Sequence, residues 1–353
     1  MARNKQETRR QAQTVLGRVD ADTLGITLTH EHLLIDMAVW FVEPTEAGLR
    51  KIAHEPVSIQ NLSWVLYHQY NNLDNLRLLD EELAVKEALI FKKEGGGTIV
   101  DVTNGGIGRD PLAIARISRV TGLHVIMGSG YYVGEAQGPE MDRKTEEQIA
   151  AEITTDIQVG VGQTGIRSGI IGEIGCSWPL QEREKKVLRA CALAQKNTGA
   201  AITIHPGRHE NAPMEIVRLL EKAGADISRV IMGHLDRTDF LPATLRELAR
   251  TGCYLQYDCF GSAPFYPLHF GVFNRPCDRE RIEQIRELVA EGYLKQILMA
   301  QDTCLKCKLV HFGGQGYAHL LRNILPQMLA RGITPEQIRT VMVENPKRFL
   351  AFI

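Results

Sequence analysis

Two histidines separated by one residue, His30 and His32, follow an apolar run and could chelate a metal ion. The run, residues 25–29, is typical of a β-strand, in which residues i and i+2 point to the same face. Two neutral imidazoles on one face suit a borderline-soft cation such as zinc. Four further potential ligands end later apolar runs, namely Glu173, His205, His234 and Asp302.

Six ligands exceed what one tetrahedral zinc needs, but they suit two metal ions held about 3.5 to 4 Å apart. We assign His30, His32 and Asp302 to one metal, His205 and His234 to the other, and Glu173 as the bridge between them. Metal coordination lowers the pKa of water from about 16 to about 7, which supplies a hydroxide nucleophile. Asp302 could then carry the proton to the leaving group.

These ligands need a scaffold that brings strand ends together. Eight strand-length apolar runs alternate with amphipathic, helix-length segments, at residues 25–29, 98–102, 124–128, 169–174, 201–205, 230–233, 253–257 and 296–300. The pattern predicts an α/β fold, a (β/α)8 TIM barrel, in preference to a doubly wound sheet. In such a barrel the carboxyl ends of the strands form the active-site face, which is where the six residues fall.

The rest of the chain fits one domain. Residues 1–11 are polar and are expected to form a disordered tail, and residues 12–353 a single barrel domain. A turn at residues 20–22 predicts a short N-terminal β-hairpin between residues 14–17 and the first long strand. Two connections are long: one carries a helix predicted at about residues 72–93, and the other, residues 258–278, is rich in aromatic side chains that would shape a substrate pocket.

Composition narrows the choice of partners. The 41 basic and 42 acidic side chains leave a net charge of -1, which favours neither nucleic acid nor an anionic membrane and leaves a small molecule as the expected partner. Seven scattered cysteines do not resemble a disulfide framework, and they indicate a reducing compartment. No apolar run is long enough to span a bilayer, so we expect a cytoplasmic protein.

The sequence resembles the phosphotriesterase family of the amidohydrolase superfamily, and within it the phosphotriesterase-related proteins of animals. The resemblance covers nearly the whole chain and is carried by residues 29–32 (Thr-His-Glu-His), 169–179, 205–208, 233–238 and 344–350. It implies a hydrolase with two divalent metal ions, expected to be Zn²⁺, on a (β/α)8 barrel. In bacterial phosphotriesterases a carboxylated lysine bridges the metals, and Glu173 replaces that lysine here. A homodimer is expected only by analogy with the fold.

The resemblance implies hydrolysis of the amide bond of small N-acyl amino acids or N-acyltaurine, N-acetyltaurine included. An anionic amide needs a cation near the metals, for which Arg208, Arg237 and Lys306 are candidates. Tyr131 and its neighbour Tyr132 could cap the pocket or bind the polarised oxygen. The alternatives are a phosphotriester or lactone hydrolase, which would favour a cation-free pocket, and a metal-binding regulator without turnover.

Two features depart from the family pattern. Gln301 precedes Asp302 where close relatives often have histidine, which would change a neighbour of the metal ligand and not the ligand itself. Cys304 and Cys307 form a C-x-x-C sequence that lacks the second pair of a zinc site, so two free thiols are the simpler interpretation. The alternative hypothesis is that Cys304 makes the enzyme sensitive to oxidants or heavy metals.

Overall fold

A barrel of parallel strands forms the centre of the protein. The computed structural model describes residues 10–262 and 275–352. Twelve strands occur in these ranges: β1 Gln11–Thr14, β2 Gly17–Asp20, β3 Ile26–Glu31, β4 Ile35–Asp36, β5 Arg77–Leu78, β6 Gly96–Asp101, β7 His124–Ser129, β8 Ile170–Gly175, β9 Ile202–His205, β10 Val230–Met232, β11 Tyr254–Tyr257 and β12 Ile297–Met299. Eight of them, β3 and β6 to β12, form one sheet in chain order with parallel pairing.

The sheet closes between its first and last strands. The hydroxyl of Thr29 in β3 donates to the carbonyl of Met299 in β12, and the backbone N–H of Asp302 donates to the carbonyl of His30. The interior of the barrel is filled by apolar side chains such as Val100, Ile126 and Ile231. The predicted (β/α)8 barrel is confirmed, and the doubly wound sheet is wrong.

The N-terminal hairpin lies against the amino ends of the barrel strands, which we call the lower end of the barrel. Its turn differs from the prediction. β1 pairs antiparallel with β2 through a turn at Val15 and Leu16, whereas residues 20–22 begin a separate 3-10 turn capped by Asp20. Ala12 packs into the apolar cluster that fills the lower barrel. Because β1 begins at Gln11, the predicted tail extends too far; its residues 1–9 lie outside the described residues.

Helices surround the sheet. Their bounds are α1 Ala47–Ala53, α2 Leu62–Tyr67, α3 Glu81–Lys93, α4 Pro111–Thr121, α5 Glu146–Gln158, α6 Glu182–Thr198, α7 Ala212–Lys222, α8 Pro242–Arg250, α9 Asp278–Ala290, α10 Leu325–Ala330, α11 Pro335–Arg339 and α12 Asn345–Leu350. Local sequence explains several of the ends. Asp110 caps α4 ahead of Pro111, and Gly122 ends it in the left-handed conformation that glycine adopts without strain. No helix in the described ranges has the length and apolar character needed to cross a bilayer.

The two long connections differ from the predictions in detail. The helix expected at about residues 72–93 begins only at Glu81, because Asp80 caps its first turn and residues 77–78 pair with β4 as a strand. Two short helices, α1 and α2, precede it. Of the aromatic loop, Phe260 is buried, while residues 263–274, with most of the aromatic side chains, lie outside the described residues.

Candidate active site

His30 and His32 point to the same side at the end of β3, as the extended backbone requires. Both rings are buried, with 0 % and 1 % of the residue exposed. The Nε2 atom of His30 lies 3.4 Å from Oε2 of Glu173, and Nε2 of His32 lies 3.3 Å from Oε1. Oδ1 of Asp302 lies 3.8 and 3.4 Å from the same two nitrogens. These three side chains can therefore share one cation with an edge of Glu173.

Glu173 stands at the middle of the site. It lies in β8, where the preceding Gly172 has a φ of +123°, and a Cβ at position 172 would meet the carbonyl oxygen of Thr203 at 2.4 Å. Only glycine fits there, and this backbone course places the carboxylate among all four histidines. Oε2 lies 3.0 Å from Nδ1 of His205 and 3.5 Å from Nε2 of His234. One carboxylate thus contacts both halves of the predicted ligand set.

His205 is the last residue of β9, and His234 lies two residues after the neighbouring strand β10. Nδ1 of His205 lies 2.8 Å from Nε2 of His234. His234 and Asp302 adopt φ values of +54° and +49°, in the left-handed region that is unusual for residues other than glycine. Such strained conformations concentrate at functional sites, where the surrounding structure holds them in place. The structure thus brings all six predicted ligands together.

The donor set fits divalent cations. Nε2 of His30 is buried and has no hydrogen-bond partner, which is costly for a polar atom unless another group satisfies it. Ring nitrogens and carboxylate oxygens of His30, His32 and Asp302, and of His30, Glu173 and His234, lie within 4.8 Å of one another. Imidazole and carboxylate are the ligands that zinc and similar transition-metal ions take. A cation pair would satisfy these converging lone pairs together.

The potential at the centre is strongly negative around one imidazole. Burial by itself would lower the pKa of His32, but hydrogen bonds and charge from Asp302 and Glu173 outweigh it and raise that pKa to about 10. His205 behaves in the opposite way: burial, then the charge of Arg237, lowers its pKa well below the ordinary value. A cluster that attracts a proton to one imidazole and keeps the other neutral is suited to bind a positive ion through both.

Sequence reasoning missed the residues that hold the histidines in place. Asp258, at the end of β11, accepts a 2.7 Å hydrogen bond from Nδ1 of His234 and also accepts from its backbone N–H. Gln256 contacts Nδ1 of His30 at 3.1 Å, and the Thr103 hydroxyl contacts Nδ1 of His32 at 2.8 Å. Partners of this kind orient a metal-binding imidazole. The available signal was Asp258 itself, a carboxylate at the end of the seventh barrel strand.

Glu31 fixes the loop that carries Asp302. Its two carboxylate oxygens accept hydrogen bonds from the backbone N–H groups of Gln301 and Thr303, at 2.8 and 2.9 Å, on either side of Asp302. Burial raises the pKa of Glu31 to about 7, although these N–H groups oppose the shift. Gln301 donates to the carbonyl of Gly316 and accepts from the backbone N–H of Leu320. Gln301 therefore braces the loop against the C-terminal segment and does not reach the ligands.

Positive side chains line the cavity in front of the centre. Arg208 and Arg237 are among them, and so are Arg275 and Lys308, which sequence reasoning missed. NH1 of Arg237 lies 2.7 Å from Nε2 of His205, and the guanidinium of Arg208 lies 5.7 Å from the centre of the Trp40 ring. Lys306, predicted as a possible cation of the pocket, instead pairs with Asp74 at 2.6 Å. Lys308, two residues later, lines the cavity instead, and its Nζ donates to the backbone carbonyl of Asp302 at 2.6 Å.

The two tyrosines after β7 have different environments. Tyr131 hydrogen-bonds to Glu152, and Lys144 donates to its hydroxyl, so its ring points toward α5 and is absent from the cavity lining. The structure therefore does not support Tyr131 as a substrate contact. Tyr132 is buried and lines the cavity, with its hydroxyl 3.4 Å from Nδ1 of His205. Adjacent residues point to opposite sides of an extended chain, which explains why Tyr132 lines the cavity and Tyr131 does not.

The thiols of Cys304 and Cys307 are free and buried. Burial raises the pKa of Cys304 well above its ordinary value, and the charge of Asp302 raises it further. Because the thiolate is the reactive form, this environment disfavours oxidation. The structure supports the interpretation of two free structural thiols.

Comparison with known proteins gives the evolutionary context. The model of the phosphotriesterase family matches residues 10–350. The chain belongs to the phosphotriesterase family. It is 44% identical to the N-acetyltaurine hydrolase of Homo sapiens over 344 residues, 96% of this chain and 97% of that protein. It is 44% identical to the phosphotriesterase-related protein of Nematostella vectensis, over 97% of this chain and 98% of that one.

A solved structure agrees with the barrel. The resiniferatoxin-binding protein from Rhodobacter sphaeroides superposes with a TM-score of 0.93 at 35% sequence identity, covering 97% of this chain and 95% of that one. As a phosphotriesterase family member with this cluster of histidines and carboxylates, the protein is a hydrolase with candidate metal ligands at the carboxyl ends of its strands.

Proposed function

We propose that the protein is a binuclear zinc-dependent hydrolase that cleaves the amide bond of small anionic N-acyl compounds, with N-acetyltaurine as the first candidate substrate. The full-length similarity to proteins named N-acetyltaurine hydrolase supports this activity. His30, His32 and Asp302 would hold one ion, His205 and His234 the other, and Glu173 both. When bound, such ions supply Lewis acidity and lower the pKa of water.

Exposure separates the roles of the two carboxylates. The Glu173 side chain is 3 % exposed, and the Asp302 side chain is 18 % exposed toward the cavity. Asp302 is therefore the carboxylate that can meet a bound substrate, and we assign it to move a proton from water to the departing amine. An amine leaves poorly unless it is protonated, so this transfer is essential for amide cleavage.

The observation that carries the substrate assignment is the charge of the cavity lining. Arg208, Arg237, Arg275 and Lys308 face the cavity, and the two lining carboxylates, Glu173 and Asp302, belong to the ligand set. The excess of positive charge suits a sulfonate or carboxylate and would add nothing for a neutral triester. Trp40, Tyr70 and Tyr132 also line the cavity, and their bulk favours a short acyl group.

A matched pair of substrates tests this assignment. We expect the zinc-loaded enzyme to release taurine from N-acetyltaurine at least tenfold more efficiently than it releases ethanolamine from N-acetylethanolamine, which has the same amide and no charge. Arg208→Gln should raise KM for the anionic amide more than it lowers kcat, because it removes a binding contact. Equal turnover of both amides would contradict the anionic specificity, and turnover of only a triester or lactone would favour the alternative hydrolase.

The free cysteines bear on the cellular compartment of the protein. All seven cysteines are free thiols, which supports a reducing compartment, and we propose the cytoplasm. The partner that the site requires is a small anionic amide.

A further inference from the structure

A second cavity lies at the opposite end of the barrel from the candidate active site. Its lining includes Arg229, directly before β10, Tyr254, the first residue of β11, and Gln296, directly before β12. These are the amino ends of the strands, whereas the predicted metal ligands lie at carboxyl ends. The cavity measures about 710 Å³, within the range of about 300 to 1,000 Å³ typical of small-molecule sites.

The lining of this lower cavity is strongly basic. It contains four cationic side chains and no carboxylate, the four being Arg10, Arg229, Lys295 and Arg348. This excess is local, because the whole chain has a net charge of -1. Asp226 accepts from the backbone and hydroxyl of the lining residue Ser228, and Glu344 pairs with Lys347 and Arg339, so neither carboxylate forms an ion pair with a lining cation among the described residues.

Arg229 forms the floor of the lower cavity. The residue is 7 % exposed, and one terminal nitrogen, NH2, lies 2.9 Å from each of the carbonyl oxygens of Gly199, Phe349 and Ala351, which share its two N–H donors. Its Nε atom is buried without a hydrogen-bond partner. Burial lowers the pKa of Arg229, Asp226 opposes that shift only in part, and the charge of Arg10 adds to it. The fold thus positions this guanidinium through backbone carbonyls and leaves its Nε atom without a partner.

The other cations of the lower cavity are accessible. Arg10 and Lys295 are exposed, and Arg348 is half-buried with its NH1 donating to the carbonyl of Lys295. The described residues provide no carboxylate partner for Arg10, Lys295 or Arg348. The rings of Tyr254 and Phe349 pack edge to face and are almost fully buried, whereas Phe352 lines the same cavity and is only half-buried. The cavity therefore combines several positive groups with one partly exposed aromatic ring.

We propose that the lower cavity is a binding site for a nucleotide-sized phosphate ester. Guanidinium groups recognise phosphate through paired N–H donors, and the three accessible cations, Arg10, Lys295 and Arg348, are enough to contact more than one phosphate group. The partly exposed ring of Phe352 gives a flat ring an apolar contact. The site is separate from hydrolysis, since none of its residues lines the cavity in front of the metal ligands.

Calorimetric titration of the metal-loaded enzyme with ADP tests this site. We expect the double variant Arg10→Gln with Lys295→Gln to weaken ADP binding at least tenfold and to leave hydrolysis without ADP unchanged. The matched control is Lys93→Gln with Arg119→Gln, which removes the same charge from exposed positions on α3 and α4, across the barrel. That control should bind ADP like the wild type.

Arg208→Gln distinguishes the two ends of the barrel. If ADP binds at the lower cavity, its affinity should not change in this variant, because Arg208 lines the cavity in front of the candidate metal ligands. If Arg208→Gln abolishes binding while the lower double variant retains it, ADP occupies the metal centre and the proposal is wrong. Absence of ADP binding to the wild type at low ionic strength, or equal weakening by both double variants, would also overturn it.

Discussion

Single side chains decide how the candidate centre is built. Glu173 contacts four imidazoles because one glycine before it permits an otherwise excluded backbone course. Glu31, the residue between the paired histidines, points away from the other candidate ligands and fixes the loop of Asp302 instead. The alternation of a strand therefore separates two tasks between neighbouring residues, ligation on one face and positioning on the other.

Glu31→Gln should destabilise the fold by about 1 to 3 kcal/mol, because the amide NH2 would face a backbone N–H group and leave it without an acceptor. The free energy of unfolding in urea measures the loss. Glu82→Gln is the matched control, since that side chain is 89% exposed, and its effect should stay within about 0.5 kcal/mol. Equal effects of the two changes would show that the Glu31 contacts are not structurally important.

Asp258→Asn should weaken metal affinity about 10- to 100-fold while the protein remains folded. The amide removes the charge that holds Nδ1 of His234 at 2.7 Å, and its NH2 cannot accept from the backbone N–H that Asp258 now serves. Competition with a chromogenic chelator measures the change. Unaltered affinity would contradict the positioning role of Asp258.

Cys304→Ser should leave the rate of inactivation by peroxide unchanged within about twofold, because the buried thiol has a raised pKa and little thiolate is present. Residual activity after timed exposure to peroxide is the readout. Marked protection by the substitution would restore the oxidant-sensor hypothesis.

At the scale of elements, the barrel strands and the polar residues at their ends could be predicted from sequence. Each barrel strand is buried on both faces, so it appears in the sequence as an apolar run. A polar residue near the end of such a run is therefore easy to recognise as a candidate ligand. The same logic failed for Asp236, which lies two residues after His234. Asp236 is fully buried and accepts from the backbone of Asp258 and Cys259 and from Nε of Arg281 at 2.8 Å. Its partner lies on α9, and no local spacing indicates that contact.

Arg281→Met should destabilise the protein by about 3 to 5 kcal/mol, because it leaves the buried carboxylate of Asp236 without its charged partner. The control lies on the same helix: Arg286 pairs with Glu283 at the surface, with its side chain 55% exposed, and Arg286→Met should cost at most about 1 kcal/mol. The free energy of unfolding of both variants, measured by chemical denaturation, tests this difference. A loss below 1 kcal/mol for Arg281→Met would mean that the pair does not hold the end of β11.

Helix and turn boundaries were predicted less well than strands. The helix of the first long connection starts nine residues later than the predicted residue 72, because Asp80 caps it and residues 77–78 join a two-stranded ribbon with β4. Both features depend on a partner segment distant in sequence. Similarly, the two cavity cations Arg275 and Lys308 follow no motif, and their position depends on how loops fold back over the barrel.

At the scale of the whole molecule, the barrel separates two ends with different chemistry. The carboxyl ends of the strands collect the histidines and carboxylates, whereas the amino ends, closed by the hairpin and the C-terminal helix, collect arginine and lysine. The candidate ligands lie in five strands, β3, β8, β9, β10 and β12, or within three residues of their carboxyl ends. A cation pair would therefore connect the barrel across its full width.

Removal of metal should lower the melting temperature by several degrees, because ions that bind only the folded chain stabilise it by mass action. Calorimetric scans of the zinc-loaded protein, before and after dialysis against a chelator, measure the shift. Restoration by added zinc should be complete for the wild type and reduced for His234→Ala. A melting temperature indifferent to metal would contradict ligation by residues from five strands.

The most direct test of the central claim is a titration of metal-free protein with zinc, in which taurine release from N-acetyltaurine is followed at each addition. We predict that activity rises to a plateau at about two equivalents per chain, as expected for a binuclear centre, and that Glu173→Ala shows no comparable rise. Activity that does not depend on zinc, or protein that binds two equivalents and cleaves no anionic amide, would contradict the account.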